Sequence, residues 1–130
     1  DDLDLALITV RVLEQFSTNT IPSAALNDVV VGEECVAIGN TLGHGISVTT
    51  GIISKFDSMA SFYANAHDSL VLIRTSAPIS PGNSGGALFR RKDGKLIGIT
   101  TATQTRGQNV NFVLPVEYLW KLKLVESSTK

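Results

Sequence analysis

The sequence predicts an all-β domain in which six short strands form one antiparallel barrel or sandwich. Two observations carry this. Segments rich in apolar and branched residues recur at Glu34–Gly39, Ser47–Phe56, Leu70–Thr75, Ala87–Arg90, Leu96–Ala102 and Asn111–Leu114, each bounded by glycine or polar turn residues. Short strands joined by such turns indicate an antiparallel architecture, because parallel strands need longer crossovers that are usually helical. Composition sets the scale: 130 residues, 43% apolar and 18% charged, suffice for one globular domain with its own core. Closure into a barrel would protect the strand edges.

The chain opens with Asp4 running into Leu5–Val12, a strand-like segment. Glu14–Leu26 holds Ser17-Thr18-Asn19-Thr20 and Pro22, the content of a linker crossing the surface. The strand from Glu34 alternates so that Cys35 reads as a small buried or half-buried residue. Thr41-Leu42-Gly43-His44-Gly45-Ile46 is a turn, and Ser61–Ser69, which contains His67, is a polar loop. Asp93-Gly94 marks a hairpin turn after Ala87–Arg90. At Pro115 the pattern changes: Val116, Leu119, Trp120 and Leu124 fall at helical spacings, predicting a short terminal helix with Trp120 packed on the barrel. Residues 122–130 are expected to fray.

Several function classes find no support. The formal net charge is −1, and the basic trio Arg90-Arg91-Lys92 reads as a solvated loop, so nucleic acid is not an expected partner. A single cysteine rules out an internal disulfide framework, and one cysteine with two dispersed histidines offers no metal-ligand spacing. No cofactor is implied. No apolar run approaches the roughly 20 residues of a membrane-spanning helix.

Chemistry concentrates at Pro81-Gly82-Asn83-Ser84-Gly85-Gly86. Glycines on both sides of the serine let the backbone turn sharply and approach a ligand closely. The N–H groups of Gly82 and Ser84, joined by that of Asn83, could then hold the oxyanion of a tetrahedral intermediate. A tight turn with an idle hydroxyl is the alternative reading.

Taken with Asp4–Val10, with Val36-Ala37-Ile38-Gly39-Asn40 and Ser47–Ser54, and with Gly94–Ile99 and Asn111–Pro115, the serine motif resembles the HtrA (Deg) branch of the chymotrypsin-like serine proteases. The likeness runs from Asp4 to about Lys121. It implies that Ser84 is the nucleophile, Asp4 the acid of a Ser-His-Asp triad, and Gly82, Asn83 and Ser84 the oxyanion hole. It also assigns the architecture. Residues 1–14 resemble the last strand of the N-terminal barrel, 15–26 the inter-barrel linker, and 27–121 the six-stranded Greek-key C-terminal barrel with its terminal helix.

In that family the base histidine lies N-terminal to the aspartate, and only three residues precede Asp4 here. The chain is therefore expected to be part of a protease, inactive alone, whose histidine and first barrel lie outside it. Neither His44 nor His67 is expected to substitute. By resemblance, Ile79, Ser80, Thr100, Thr101, Ala102 and Asn111 line the substrate site. No carboxylate stands among them to pair a buried Lys or Arg, so small or medium aliphatic side chains are favoured. Expected partners are a peptide or unfolded protein, the absent barrel, and copies of the chain in a trimer. An extracytoplasmic or organellar location is implied. A catalytically silent peptide-binding module is the competing reading. Without the neighbouring barrel the serine loop, Pro81 to Gly86, is expected to be disordered or collapsed, with the Gly82–Asn83 peptide free to flip.

Overall fold

The computed structural model describes residues 5–11, 20–62, 66–67, 69–103 and 110–121. Six strands, β1 (Glu34–Asn40), β2 (Ile46–Ser58), β3 (Val71–Thr75), β4 (Ala87–Arg90), β5 (Leu96–Thr103) and β6 (Asn111–Pro115), form a closed barrel in the order β1-β2-β3-β6-β5-β4. Every neighbouring pair is antiparallel. The β1–β4 pairing, Cys35 opposite Arg90 through Ile38 opposite Ala87, closes the cylinder and leaves no free edge.

Alternation explains which residues fill it. Cys35 and Ala37 of β1, Ile53 of β2, Ile73 of β3, Leu88 of β4, Ile97 of β5 and Val113 of β6 share one buried cluster, joined by Ala24, Val29, Ala77 and Ile79. A second cluster gathers Met59, Leu72, Phe112, Leu114 and Tyr118, with Leu5 packed against it. β6 is buried at every position, as a strand covered on both faces must be, and its sequence is correspondingly apolar.

The strand order has one consequence for function. β3 neighbours β2 and β6, whereas β4 neighbours β5 and β1. The chain must therefore cross over between strands that do not touch, and residues 76–86, which include the serine motif, make that crossing.

The structure departs from the sequence reading in three places. Leu5–Arg11 forms no strand among the described residues; Leu5 packs on the second cluster while Ile8 and Val10 are 80% and 71% exposed. A strand needs a pairing edge, and this barrel has none to lend. The terminal helix is a 3-10 helix over Val116–Lys121, strapped down where the Val71 N–H donates to the Tyr118 hydroxyl at 2.7 Å and the Leu26 N–H donates to Glu117. Arg90 is not in a solvated loop but 4% exposed, since its guanidinium is matched by Asp93 at 3.2 Å, Glu33 at 3.8 Å and the Asp28 carbonyl at 3.0 Å. Asp4, residues 12–19 with the first part of the linker, the Ala102 and Trp120 side chains and residues 122–130 lie outside the described part.

Of the described linker residues 20–26, Pro22–Ala24 run along β5. Leu96 donates to the Pro22 carbonyl and accepts from the Ala24 N–H, at 2.8 and 2.9 Å.

Cys35 is fully buried, with its sulfur 3.1 Å from the Thr75 hydroxyl. Burial pushes its thiol above the ordinary value, and the nearby Glu33 adds to the rise, against lowering by the Thr75 and Gly51 hydrogen bonds. A group with a raised folded-state pKa contributes stability at low pH and loses it as pH climbs through that range. Stability should therefore fall from about pH 8.5, where an unfolded thiol ionises. Urea midpoints measured from pH 7 to 10 should drop less steeply in Cys35→Ala, and parallel slopes would refute this.

Candidate active site

The crossing segment is tied down along its whole length. The Ser76 N–H donates to the Ile52 carbonyl at 3.1 Å, and the Ser76 hydroxyl accepts from the Ile52 N–H at 3.0 Å. The Thr49 hydroxyl donates to the Pro78 carbonyl at 2.7 Å, and the Asn111 amide to the Ala77 carbonyl at 2.8 Å. Close approach is possible because Gly51 has no side chain: a Cβ there would lie 2.3 Å from the Ala77 nitrogen.

Two hydrogen-bonded turns follow in tandem. The Asn83 N–H donates to the Ser80 carbonyl at 3.0 Å, and the Gly86 N–H to the Asn83 carbonyl at 2.8 Å. Gly82 and Gly85 occupy their third positions with φ of 95° and 89°, the left-handed values that a type II turn requires and that glycine adopts without strain. Pro81 stands at the second position of the first turn, where its fixed φ belongs.

Direction follows from planarity, because a trans peptide points its C=O and N–H opposite ways. The Pro81 carbonyl accepts from the Leu42 N–H at 3.1 Å, so the Gly82 N–H faces away from the β1–β2 turn. The Asn83 carbonyl takes the Gly86 N–H and the Thr100 hydroxyl, so the Ser84 N–H faces away from β5. Among the described residues no protein acceptor receives either N–H. The expected collapse is thus not seen. The Gly82–Asn83 peptide is held by the first turn, which also commits the Asn83 N–H.

The motif docks on β5 as if it were a short strand. Gly85 N–H donates to the Thr100 carbonyl at 2.8 Å and Thr100 N–H to the Gly86 carbonyl at 2.9 Å. Pairing of β5 with β6 slips between Thr100 and Ala102, and this bulge re-aims the intervening Thr101. Its carbonyl accepts the Ser84 hydroxyl at 2.9 Å. Ser84 itself is exposed.

Neither histidine reaches that hydroxyl. His44 caps the Thr41–Gly43 turn through its N–H, 3.0 Å from the Thr41 carbonyl, and the His67 ring nitrogen Nδ1 lies 2.7 Å from the Ser69 hydroxyl. Of the residues expected to line a substrate site, Ser80 is exposed and Thr101 partly so, whereas Ile79, Thr100 and Asn111 are buried. Thr100 and Asn111 spend their polar groups on the crossing segment. Sequence reasoning missed Leu42, with φ of 55° the single non-glycine residue of positive φ among those described; no local signal marks it, since only the fold brings Pro81 to it.

A closed antiparallel barrel whose crossover presents a glycine-flanked serine defines the class, that of the trypsin-like peptidases. The family model described as trypsin-like peptidase domain matches residues 1–99, and the chain belongs to this family, in its HtrA-type branch. It is 41% identical over 86 residues to the putative serine protease HhoB of Synechocystis sp., covering 66% of this chain and 20% of the relative. Over 119 residues it is 35% identical to the chloroplastic Protease Do-like 1 of Arabidopsis thaliana, covering 89% and 27%. Among solved structures, the HtrA-type protease AlgW with decapeptide superimposes with a TM-score of 0.69 at 34% identity, covering 82% of this chain and 33% of that one. The chain spans between 20% and 36% of the length of the curated relatives it matches.

A side chain at Gly82 would meet both strain and collision, since a Cβ would lie 2.8 Å from the Leu42 nitrogen, whereas Gly85 has open space. Gly82→Ala should lower unfolding stability by about 2–3 kcal/mol and Gly85→Ala by about 1 kcal/mol. Equal urea midpoints for the two variants would contradict the packing described.

Proposed function

We propose that the chain is the nucleophile-bearing part of an HtrA-type serine endopeptidase. Ser84 attacks the scissile carbonyl, and the Gly82 and Ser84 N–H groups receive the oxyanion. Asp4 orients and charge-balances a histidine supplied by residues outside this chain. The observation that supports this most is the pair of amides on Gly82 and Ser84, each turned outward by a carbonyl fixed behind it. Such donors are already oriented when charge develops, which is where this kind of stabilisation gains its magnitude.

The serine hydroxyl must leave the Thr101 carbonyl and meet an imidazole before it can attack, because a hydroxyl is a weak nucleophile without a base. The Thr101 contact is thus a resting position. An extended substrate would add a strand near Thr100–Ala102, with the side chain before the cut bond held between that strand and residues 76–80. Small or medium aliphatic side chains suit a site with no carboxylate. Substrates are peptides or unfolded proteins, and the working form is a trimer in an extracytoplasmic or organellar compartment, the latter matching the chloroplastic relative.

Fluorophosphonate labelling and casein digestion by the complete protein should both occur and should fall by roughly 10⁴-fold or more in Ser84→Ala. The 130-residue chain alone should show neither. A complete protein that binds peptide yet never labels would instead indicate a silent binding module. Activity of the chain alone that survives His44→Ala and His67→Ala would overturn the assignment of the base.

A further inference from the structure

Asn83 stands between the two amides assigned to the oxyanion, and two threonines from distant parts of the chain hold it. From one side, the Thr41 hydroxyl donates to the Asn83 side-chain oxygen at 2.9 Å. From the other, the Thr100 hydroxyl donates to the Asn83 main-chain carbonyl. We propose that Thr41 and Thr100 are positioning residues that grip Asn83 and thereby aim the Gly82 and Ser84 N–H groups. The role in catalysis rests on the reading of those amides given above; the grip itself does not.

Proton bookkeeping fixes the direction of the first contact. An amide oxygen can only accept, so the single Thr41 proton is spent on Asn83. The Ser47 hydroxyl lies 2.5 Å from Thr41 Oγ1 and 3.4 Å from the Gly39 carbonyl; with the Thr41 proton committed, it donates across the shorter contact, giving a relay from Ser47 through Thr41 to Asn83. Such chains strengthen each member in a low-dielectric setting, and Asn83 is only 6% exposed. The amide has been given room for this: a Cβ on Gly39 would lie 2.7 Å from the Asn83 side-chain oxygen.

The second contact is as fully committed. Thr100 is 2% exposed, and its hydroxyl, N–H and carbonyl all bond to the serine motif, at Asn83, Gly86 and Gly85. Asn83 closes the first turn with its N–H and the second with its carbonyl, so any rotation of this residue turns both flanking peptides. Thr41 precedes Leu42, which holds the Pro81 carbonyl; the same short 3-10 turn, Thr41–Gly43, therefore fixes two points of the motif. Thr41 is only partly buried, and its hydroxyl links Ser47 of β2 to Asn83 of the motif.

The test uses Thr41→Val, Thr41→Ser, Thr100→Val and Thr100→Ser. In the 130-residue chain, amide hydrogen exchange at Leu42 and Asn83 should quicken about 3- to 10-fold in each valine variant, as the loss of one hydrogen bond implies. The serine variants should return within about twofold of wild type, and Leu88 and Val113 should be unchanged throughout. In the complete protein the valine variants should lower the fluorophosphonate labelling rate and kcat by a similar factor with KM nearly constant, again restored by serine. Unchanged exchange at Asn83 in Thr41→Val overturns the grip. Quickened exchange with unchanged labelling overturns its positioning role. A wild-type protein that fails to label counts against the endopeptidase reading, while the exchange measurement still decides the grip. Should Thr100→Val not fold, the Thr41 pair carries the test, since that side chain is outside the core.

Discussion

A planar peptide cannot turn its carbonyl without turning its N–H the other way, and the serine motif depends on that constraint at two successive points. The Pro81 carbonyl is fixed by Leu42 and the Asn83 carbonyl by Gly86 and Thr100. With both oxygens held on the protein side, the Gly82 and Ser84 N–H groups have only the outward side left. The donors of these bonds come from the β1–β2 turn, from β5 and from the motif itself, all within one barrel. A flanking barrel is therefore not what orients them.

Barrel closure makes this arrangement necessary as well as available. Because β3 and β4 are not neighbours, residues 76–86 must span between them, and backbone polar groups on such a path need partners. Thr49, Ile52, Thr75 and Asn111 supply them at the start, and Thr100 and Leu42 at the end. Gly51 admits the segment against β2, and Gly86 admits the motif against β1, where a Cβ would lie 2.7 Å from the Ile38 carbonyl. The β5–β6 bulge contributes one more partner by offering the Thr101 carbonyl to the serine.

Much of this was legible in the sequence because strands and tight turns write themselves locally. Alternating apolar residues located all six strands, with β4 matching Ala87–Arg90 and the others differing only at their ends. Glycines at positions 82 and 85 announced turns of positive φ. What stayed hidden depends on contacts between distant segments. Nothing around Leu42 signals that its N–H meets residue 81, and Thr41 is an ordinary turn residue until the fold sets it beside Asn83. Arg90 sits in a basic run, so its burial is visible only once Glu33 and Asp28 are brought to it. Thr100 and Asn111 were expected as lining residues for a similar reason: their place near the site was readable, but not that their polar groups point into the supporting framework. Of the strand expected at Leu5–Val12, the described residues 5–11 form none, because pairing is a property of two segments and a single segment does not reveal its partner.

This barrel alone fixes the Pro81–Gly82 peptide with its N–H outward, through the Leu42 N–H on the Pro81 carbonyl. Scalar coupling transmitted through a hydrogen bond reports that contact directly. In the isotope-labelled 130-residue chain, a resolvable coupling is expected between the Leu42 amide nitrogen and the Pro81 carbonyl carbon, alongside those of the β1–β2 ladder. Ladder couplings present with the Leu42–Pro81 coupling absent would mean that the peptide turns freely, and that something beyond this chain must hold it.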